Sequence, residues 1–398
     1  METRVLHAVH IFGNPSETFI RDAIAETAAL GWIPWVVTEA ARGEHEAVPG
    51  GRLILTPRRL ALPDRFAVRL DIRRGIQEEH ARVARAYLAA LARAPTGVLH
   101  AHFGWTGAAC TLAARTLRLP MIVSLHGTDA TVQMREPQHA ERYRRMLRQV
   151  DRVTVVSRFL EQRLRAFGHT GAVDLVASGV RLTEFRFVGP PRAGTAPRLL
   201  FIGRLIECKG LDTLIEALVL IKSRGVNATL SVIGDGPQRG ALQSLAARSG
   251  AGPSVSFLGT RPHQQVREEL GRADIVVVPS RVMADGQAEG SSVVSKEAQA
   301  VGVPVVATDV GGLPETFPPQ LRHELVPQDR PDLLAARIAA VWEEREHWLE
   351  RVRLQREWIE SEFAWEKIAR RLAKIYEEVQ ERHPAEPRSL RRLLRRGR

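Results

Sequence analysis

Two carboxylates, Glu289 and Glu297, stand eight residues apart in the stretch Ala288-Glu289-Gly290-Ser291-Ser292-Val293-Val294-Ser295-Lys296-Glu297-Ala298. Glu289 precedes a glycine, and the residues after it have the pattern of a helix start with Ser291 or Ser292 as N-cap. The unpaired backbone N–H groups of such a start suit an anion. Carboxylates beside them accept hydrogen bonds from sugar or ribose hydroxyls. Phosphate donors and hydroxyl acceptors at one helix mouth are what a nucleotide sugar requires, so Glu289, Gly290, Ser291, Ser292, Val293 and Glu297 are candidates for holding one. On spacing alone a capped helix with an exposed glutamate accounts for the same pattern; the neighbouring segments decide.

Phe201-Ile202-Gly203-Arg204-Leu205 closes an apolar run, and Lys209-Gly210 opens an amphipathic one. Gly203 lets backbone come close to a ligand. Arg204 and Lys209 set two cations between a strand end and a helix start, and a guanidinium fork beside an ammonium point charge suits a diphosphate. In isolation, two surface cations around a turn would look the same. Gly234-Asp235-Gly236-Pro237 and Val310-Gly311-Gly312-Leu313-Pro314-Glu315 are further glycine turns after apolar runs. In a parallel sheet all four segments emerge at one edge, where doubly wound folds bind ligands. Gly234 therefore joins Gly203 among the candidates at the ligand edge.

The first half repeats this arrangement with different side chains. Its first apolar run, 5–12, breaks at Gly13-Asn14-Pro15, and Ser16-Glu17-Thr18 opens a helix reaching about residue 30. Gly13 and Glu17 are therefore candidates at that ligand edge. Ser124-Leu125-His126-Gly127-Thr128-Asp129 is another strand end, with His126 and Asp129 expected to be exposed at the ligand edge. His100 and His102 would share one face of a regular strand; His102, nearer Phe103-Gly104, is expected to reach the ligand. A lone histidine is usually structural, but the glycine and the strand-end position argue otherwise here.

Holding these residues takes an alternation of short apolar runs and amphipathic segments, the rhythm of a parallel α/β sheet. Strands are expected at 5–12, 33–38, 53–56, 98–103, 121–125, 153–157 and 173–177, with one long helix over about 73–94. From 181 to 197 helical periodicity gives way to Pro and Gly, which reads as a linker. The alternation restarts with strands at 198–203, 228–233, 255–258, 275–279 and 303–308, and with helices at 211–224, 238–248, 263–273 and 292–301. Helices at 333–344, 348–360 and 365–380 follow. The expected organisation is two Rossmann-like domains, 1–190 and 196–360, and a basic tail, 382–398.

At 398 residues the chain is long enough for two domains with cores of their own. A net charge of +12 is compatible with nucleic acid, an anionic membrane surface or phosphorylated substrates. Few aromatics interleave with the Arg-rich segments, and no nucleic-acid-binding signature is present, so nucleic acid is not an expected partner. Cys110 and Cys208 show no CxxC or Cys/His spacing that would suggest a zinc site. The chain runs straight into 5–12 without a basic leader and cleavage site, and no apolar run reaches the ~20 residues that span a bilayer. A cytoplasmic protein, at most peripheral at the inner face of the plasma membrane, is expected.

The donor-side segments, Gly203-Arg204-Leu205…Lys209-Gly210, Glu289 through Glu297-Ala298, and Val310 to Glu315, resemble the GT4-type retaining glycosyltransferases of the GT-B fold. Ser16-Glu17-Thr18-Phe19-Ile20, His100-Ala101-His102-Phe103-Gly104 and His126-Gly127-Thr128-Asp129 resemble the bacterial exopolysaccharide (colanic-acid-type) branch of that family. The resemblance implies an acceptor domain and a donor domain with a donor cleft between them, and a last helix, about 363–380, that packs back onto the first domain. It also implies roles: Arg204 and Lys209 on the donor diphosphate, Glu297 on the ribose hydroxyls, Glu289 on the donor sugar, and His126 near the sugar O6 and the reacting carbon. His126, Glu289, Arg204 and Lys209 would be the catalytic set, with Glu17, His102 and Asp129 on the acceptor side. No metal and no cofactor are expected; a nucleoside-diphosphate sugar is the co-substrate, and a saccharide or lipid-linked saccharide is the acceptor, in cell-surface polysaccharide synthesis. Three positions depart from the family pattern: Ser292 where Pro is common, Lys296 where the position is usually apolar, and Ser178-Gly179-Val180 in place of Asn-Gly-Val.

A nucleotide-sugar epimerase or a phosphorylase could share the fold, although no pyridoxal-phosphate lysine signature stands out. A dehydrogenase does not fit, since Phe12-Gly13-Asn14-Pro15 is no GxGxxG. A sugar-nucleotide-binding protein without catalysis is separated from a transferase only by turnover.

Overall fold

Runs of Val, Ile and Leu bounded by Gly, Pro and polar turns form parallel strands throughout the computed structural model, which describes residues 3–14, 17–42, 48–73, 76–190 and 194–383. The chain divides into two compact units. The first comprises Met1–Val156, Glu161–Val176 and Glu366–Arg398, and the second Ser157–Leu160 and Ala177–Trp365.

The first unit holds strands β1 (Arg4–Phe12), β2 (Ile33–Ala41), β3 (Arg52–Leu55), β4 (Val98–His102), β5 (Met121–Leu125), β6 (Arg152–Val155) and β7 (Val173–Leu175), in the order β3-β2-β1-β4-β5-β6-β7. Every residue of β4 and β5 is buried, which is why these strands read as continuous runs and not as alternations: helices cover both faces of a parallel sheet. The last helix, Trp365–Arg382, buries Ile368, Leu372, Tyr376 and Val379 at helical spacing. Its Arg371 donates to the Leu175 carbonyl at 3.0 Å, and its Glu378 pairs with Arg152 at 2.5 Å.

The second unit holds β8 (Arg198–Ile202), β9 (Thr229–Ile233), β10 (Val255–Gly259), β11 (Ile275–Val278) and β12 (Val305–Ala307), in the order β10-β9-β8-β11-β12. Its core joins Leu199 and Phe201 of β8, Val232 of β9 and Val277 of β11 to Leu214 and Leu218 on one helix and Ile338 and Trp342 on another.

Two expectations need correction. The helix expected over about 73–94 runs over Glu78–Leu91, and a separate helix that was not expected, Leu62–Arg73, precedes it. Gly75 in the sequence is a poor helix former, and Glu78 and Glu79 supply the acidic first turn that a new N-terminus favours. The two are tied by Arg85 on Asp71 at 2.9 Å. The boundary also moves: residues 177–190, grouped with the first domain on sequence, belong to the second unit. Instead of running loose as a linker, the backbone N–H of Val188 donates to the Val301 carbonyl at 3.0 Å, and Phe187 lies against Gly302. The basic tail from 384 onward, together with Ser16, Arg74 and Gly75, lies outside the described residues.

Candidate active site

In each sheet the chain winds outward from its first strand in one direction and then crosses to the other side. The loops after the first and fourth strands therefore part and leave a crevice at the carboxyl edge. In the second unit these strands are β8 and β11, paired in register from Ile275 opposite Leu199. The β8 loop carries Gly203 and Arg204. Gly234, with φ of 133°, turns so close beneath it that a Cβ there would lie 1.9 Å from the Gly203 carbonyl oxygen. The helix Leu211–Ser223 begins at Gly210, whose φ is 65° and whose missing Cβ would sit 1.9 Å from the Pro279 carbonyl oxygen after β11. Glycine at these two positions is a steric requirement for bringing the loops together.

The charged side chains meet in that crevice. The Lys209 ammonium donates to the Glu289 carboxylate across 80 residues of sequence, and the Ser280 hydroxyl donates to the same carboxylate oxygen at 3.4 Å. Burial works against the charge on Lys209, but the Glu289 carboxylate outweighs it and holds the pKa above the ordinary lysine value. Arg204 is exposed beside them, near enough to act on the Lys209 charge, and its side chain makes no hydrogen bond or ion pair to another described residue.

The stretch from Glu289 onward forms a helix mouth. The helix Val293–Val301 is capped by Ser292, whose hydroxyl accepts from the Ser295 N–H at 3.2 Å. The first N–H groups of that helix have no intrahelical acceptor. Gly311 and Gly312 pack on the preceding backbone: a Cβ on them would lie 2.2 Å and 1.9 Å from the carbonyl oxygens of Glu289 and Gly290. The Gly312 N–H donates to the Glu289 carbonyl at 2.8 Å. The glycine pair thus fixes the segment that carries Glu289. Glu297 is buried in the second turn, at 7% exposure.

Lys296, one of the three departures from the family pattern, meets the backbone of another. Fully buried, it donates to the Ser178 carbonyl at 2.6 Å and to the Ser291 hydroxyl at 3.0 Å, with the Phe363 ring 5.1 Å away. Burial pushes its pKa down to about 7, against the pull of Glu297 and Glu289.

In the first unit the equivalent crevice lies between β1 and β4, and imidazoles gather there. His7 of β1 is in register with His100 of β4. His7 Nδ1 and His102 Nε2 are hydrogen-bonded at 3.2 Å; His100 Nδ1 meets the Tyr376 hydroxyl at 2.7 Å and its Nε2 the Ser124 hydroxyl at 2.6 Å. His126 stacks on His102 with ring centroids 5.7 Å apart, and Phe19 and Phe103 each approach it to 4.7 Å. Both His126 ring nitrogens lack a hydrogen-bond partner. Burial first, and His102 second, keep the His126 pKa well below the usual histidine range, so the imidazole is neutral at physiological pH. His102 is lowered to about 3 by burial. Gly13, with φ of 82°, ends β1, and Glu17 accepts from the Asn14 amide at 2.9 Å.

Two acceptor-side expectations change here. Asp129 is not exposed: it is fully buried, and its carboxylate accepts from the backbone N–H groups of Gly104, His126, Gly127 and Ala130 at 2.7–3.2 Å. Burial raises its pKa to about 6 in spite of those bonds. An acid collecting four amides organises the loop that presents His126. His102 is likewise buried at 2% and lies beneath His126, where it does not reach solvent.

The sequence reading missed His7 and Tyr376, and it saw no histidine cluster. Among the described residues, His7, His100 and His102 form the one group of metal-type donors within 4.8 Å of one another. Both nitrogens of His100 are already committed to hydroxyls. The missed signal for His7 was its parity: five residues before the strand end at Phe12, it sits in register with a histidine already singled out.

Two doubly wound sheets, one with a cationic crevice beside a capped helix mouth, define a GT-B glycosyltransferase. Residues 184–365 match the family "Glycosyl transferases group 1" and residues 16–184 match "Glycosyltransferase Family 4". The chain belongs to the GT4-type glycosyltransferases, in the branch that includes exopolysaccharide enzymes. It is 31% identical over 283 residues to the putative colanic acid biosynthesis glycosyltransferase WcaL of Escherichia coli K12, covering 70% of each chain. It is 30% identical over 285 residues to the GDP-mannose-dependent alpha-(1-6)-phosphatidylinositol monomannoside mannosyltransferase of Mycobacterium tuberculosis H37Rv, covering 68% of this chain and 74% of that one. Among solved structures, Anabaena Alr3699/HepE in complex with UDP-glucose superposes with a TM-score of 0.74 at 17% identity, over 94% of this chain and 99% of that one.

Proposed function

We propose that the protein is a retaining hexosyltransferase that moves a sugar from a nucleoside-diphosphate sugar to a saccharide or lipid-linked saccharide in cell-surface polysaccharide or glycolipid synthesis. The observation that carries this reading is the Lys209–Glu289 pair, with exposed Arg204, beside the helix mouth at Ser292. The two cations and the free N–H groups suit the diphosphate, whose charge grows as the glycosidic bond breaks. The loss of one well-placed donor at such a site costs about 2.7–4 kcal/mol of barrier. Glu289 serves as a hydroxyl acceptor for the sugar, held in place by Lys209, and not as a nucleophile. Glu297 takes the ribose hydroxyls. Neutral His126 hydrogen-bonds the sugar near its O6. The acceptor oxygen bonds the anomeric carbon on the face the phosphate leaves, and the departing phosphate takes the acceptor proton, so the configuration is retained without metal or cofactor.

Relatives support the donor class: one named relative is GDP-mannose-dependent and one structural neighbour holds UDP-glucose. The phosphatidylinositol mannoside acceptor in the name of the first supports a lipid-linked acceptor working at an anionic membrane face. The test is a thermal-shift panel of UDP-, GDP- and ADP-sugars, since a ligand that binds the folded state raises its stability with concentration. It is followed by NMR of the product anomer with and without chelator. Stabilisation by none of the three, an inverted anomer, or a rate abolished by chelator would each remove the corresponding part of the reading.

A further inference from the structure

The helix Leu62–Arg73 is packed inside out. Val68 is its one buried residue, whereas Leu62 is 77% exposed, Phe66 74%, Leu70 43% and Ile72 39%. At about 100° per residue, Leu62, Phe66 and Leu70 form one stripe, and Arg65, Arg69 and Arg73 form a second stripe alongside it. All three arginines are exposed, and so are Arg58 and Arg59 in the segment leading to the helix. The two acids of the helix, Asp64 and Asp71, fall roughly opposite the apolar stripe, and Asp71 is bonded to Arg85. The outward arc therefore carries four large apolar side chains, three cations and no acid.

We propose that this face docks on an anionic lipid surface, with Leu62, Phe66 and Leu70 entering the headgroup–acyl boundary and the arginines meeting lipid phosphates. The proposal deepens the reading of a membrane-working transferase by naming where the enzyme meets its membrane, and its geometry does not depend on the donor or the acceptor. Charge complementarity selects the occupant. A second copy would press the same arginines against each other in a chain of net charge +12, and an uncharged apolar partner would leave them unpaired. The other Arg-rich segment of the first unit is less suited, because it is spent internally. Arg142 donates to Gln77, Arg144 lies 4.9 Å over the Phe167 ring, and Arg145 pairs with Glu141 at 2.8 Å.

The experiment uses the full chain and vesicles of phosphatidylcholine with or without 30 mol% phosphatidylglycerol. Flotation should recover the protein with anionic vesicles alone and lose it as salt rises. Each arginine near the surface contributes about fivefold in partitioning, so losing three costs on the order of a hundredfold, and the triple variant R65E/R69E/R73E, which also adds three like charges, should bind at least that much more weakly. Phe66→Asn should also weaken binding while turnover of a water-soluble acceptor stays unchanged, which separates docking from donor chemistry. Because Cys110 and Cys208 are buried, an environment-sensitive dye on Phe66→Cys should brighten and shift to the blue on anionic vesicles. The same dye on Gln243→Cys, exposed on a helix of the second unit, should not. Binding that survives both the charge reversal and Phe66→Asn overturns the proposal, as does a dye at position 66 that reports water. A concentration-dependent dimer that Phe66→Asn dissociates would overturn it in favour of a second copy.

Discussion

The two units share a topology and differ in the chemistry placed at the same point of it. At the β8–β11 crevice the second unit sets formal charges against one another: Lys209 on Glu289, with Arg204 left exposed. At the β1–β4 crevice the first unit sets neutral imidazoles among aromatic rings, with His7, His100, His102 and His126 all held below their ordinary pKa by burial. An open charged edge can take a dianionic group without paying again for desolvation, because its cations are already positioned. A dry imidazole edge would reject such a group and accept a hydroxyl. The fold supplies equivalent crevices; the proposed function assigns the diphosphate to the charged one and a sugar hydroxyl to the dry one.

If that division holds, the largest effects come from the second unit. Arg204→Ala and Lys209→Ala should each lower kcat by about 10²–10³-fold while the protein stays folded. Lys209→Ala also strips Glu289 of its cation, so Lys209→Ala combined with Glu289→Gln should cost clearly less than the sum of the two single changes. Steady-state kinetics of the four proteins measures this, and additive losses would mean that the pair does not act as a unit. His126→Ala should follow, lowering turnover about 10–100-fold while calorimetry finds nucleoside-diphosphate affinity unchanged. A loss of diphosphate affinity in His126→Ala would erase the contrast between the two crevices.

Much of this was legible in the sequence, and the reasons are physical. Strands such as β5 and β11 were found because a fully buried strand is an uninterrupted apolar run between turn residues. The Glu289 stretch was found because a helix start has its own local grammar. What escaped depends on partners distant in sequence. Nothing near Lys209 announces Glu289, 80 residues on. Asp129 looked exposed because strand-end acids usually are; its burial follows from four backbone amides converging on one carboxylate. His7 sat unnoticed in a run of core residues. The helix Leu62–Arg73 went unread because its apolar residues face outward with only Val68 buried, and composition does not say which face is turned outward.

Within the second unit the two carboxylates should separate by role, with smaller effects. Glu297→Gln is expected to weaken bare nucleoside-diphosphate binding about 5–10-fold, on the order of 1–1.4 kcal/mol. Glu289→Gln should leave that affinity near normal and act on turnover and choice of sugar. Equal losses of diphosphate affinity in calorimetry would refute the division.

The smallest effect concerns Lys296, which tests whether charge pervades the second unit or is confined to its edge. The two lysines of this site are driven in opposite directions: Lys209 is held above its ordinary pKa by Glu289, and Lys296 is pushed to about 7 by burial. For Lys296 the folded pKa lies below the unfolded value of about 10.4. Between pH 7 and that value the unfolded chain binds more protons than the folded one, and stability must rise with pH. The slope from this single group is at most about 1.4 kcal/mol per pH unit. Lys296→Met restores an apolar residue and removes the titration, so the melting temperature of the unaltered protein, relative to Lys296→Met, should climb from pH 7 to 9. Activity should change only a few-fold, because Lys296 touches the Ser178 carbonyl and the Ser291 hydroxyl and not the Glu289 carboxylate. A difference in melting temperature that stays flat across pH 7–9 would mean that Lys296 keeps its proton when folded. The interior behind the helix mouth would then be charged as well, and the contrast with the neutral histidine crevice would extend through the whole site.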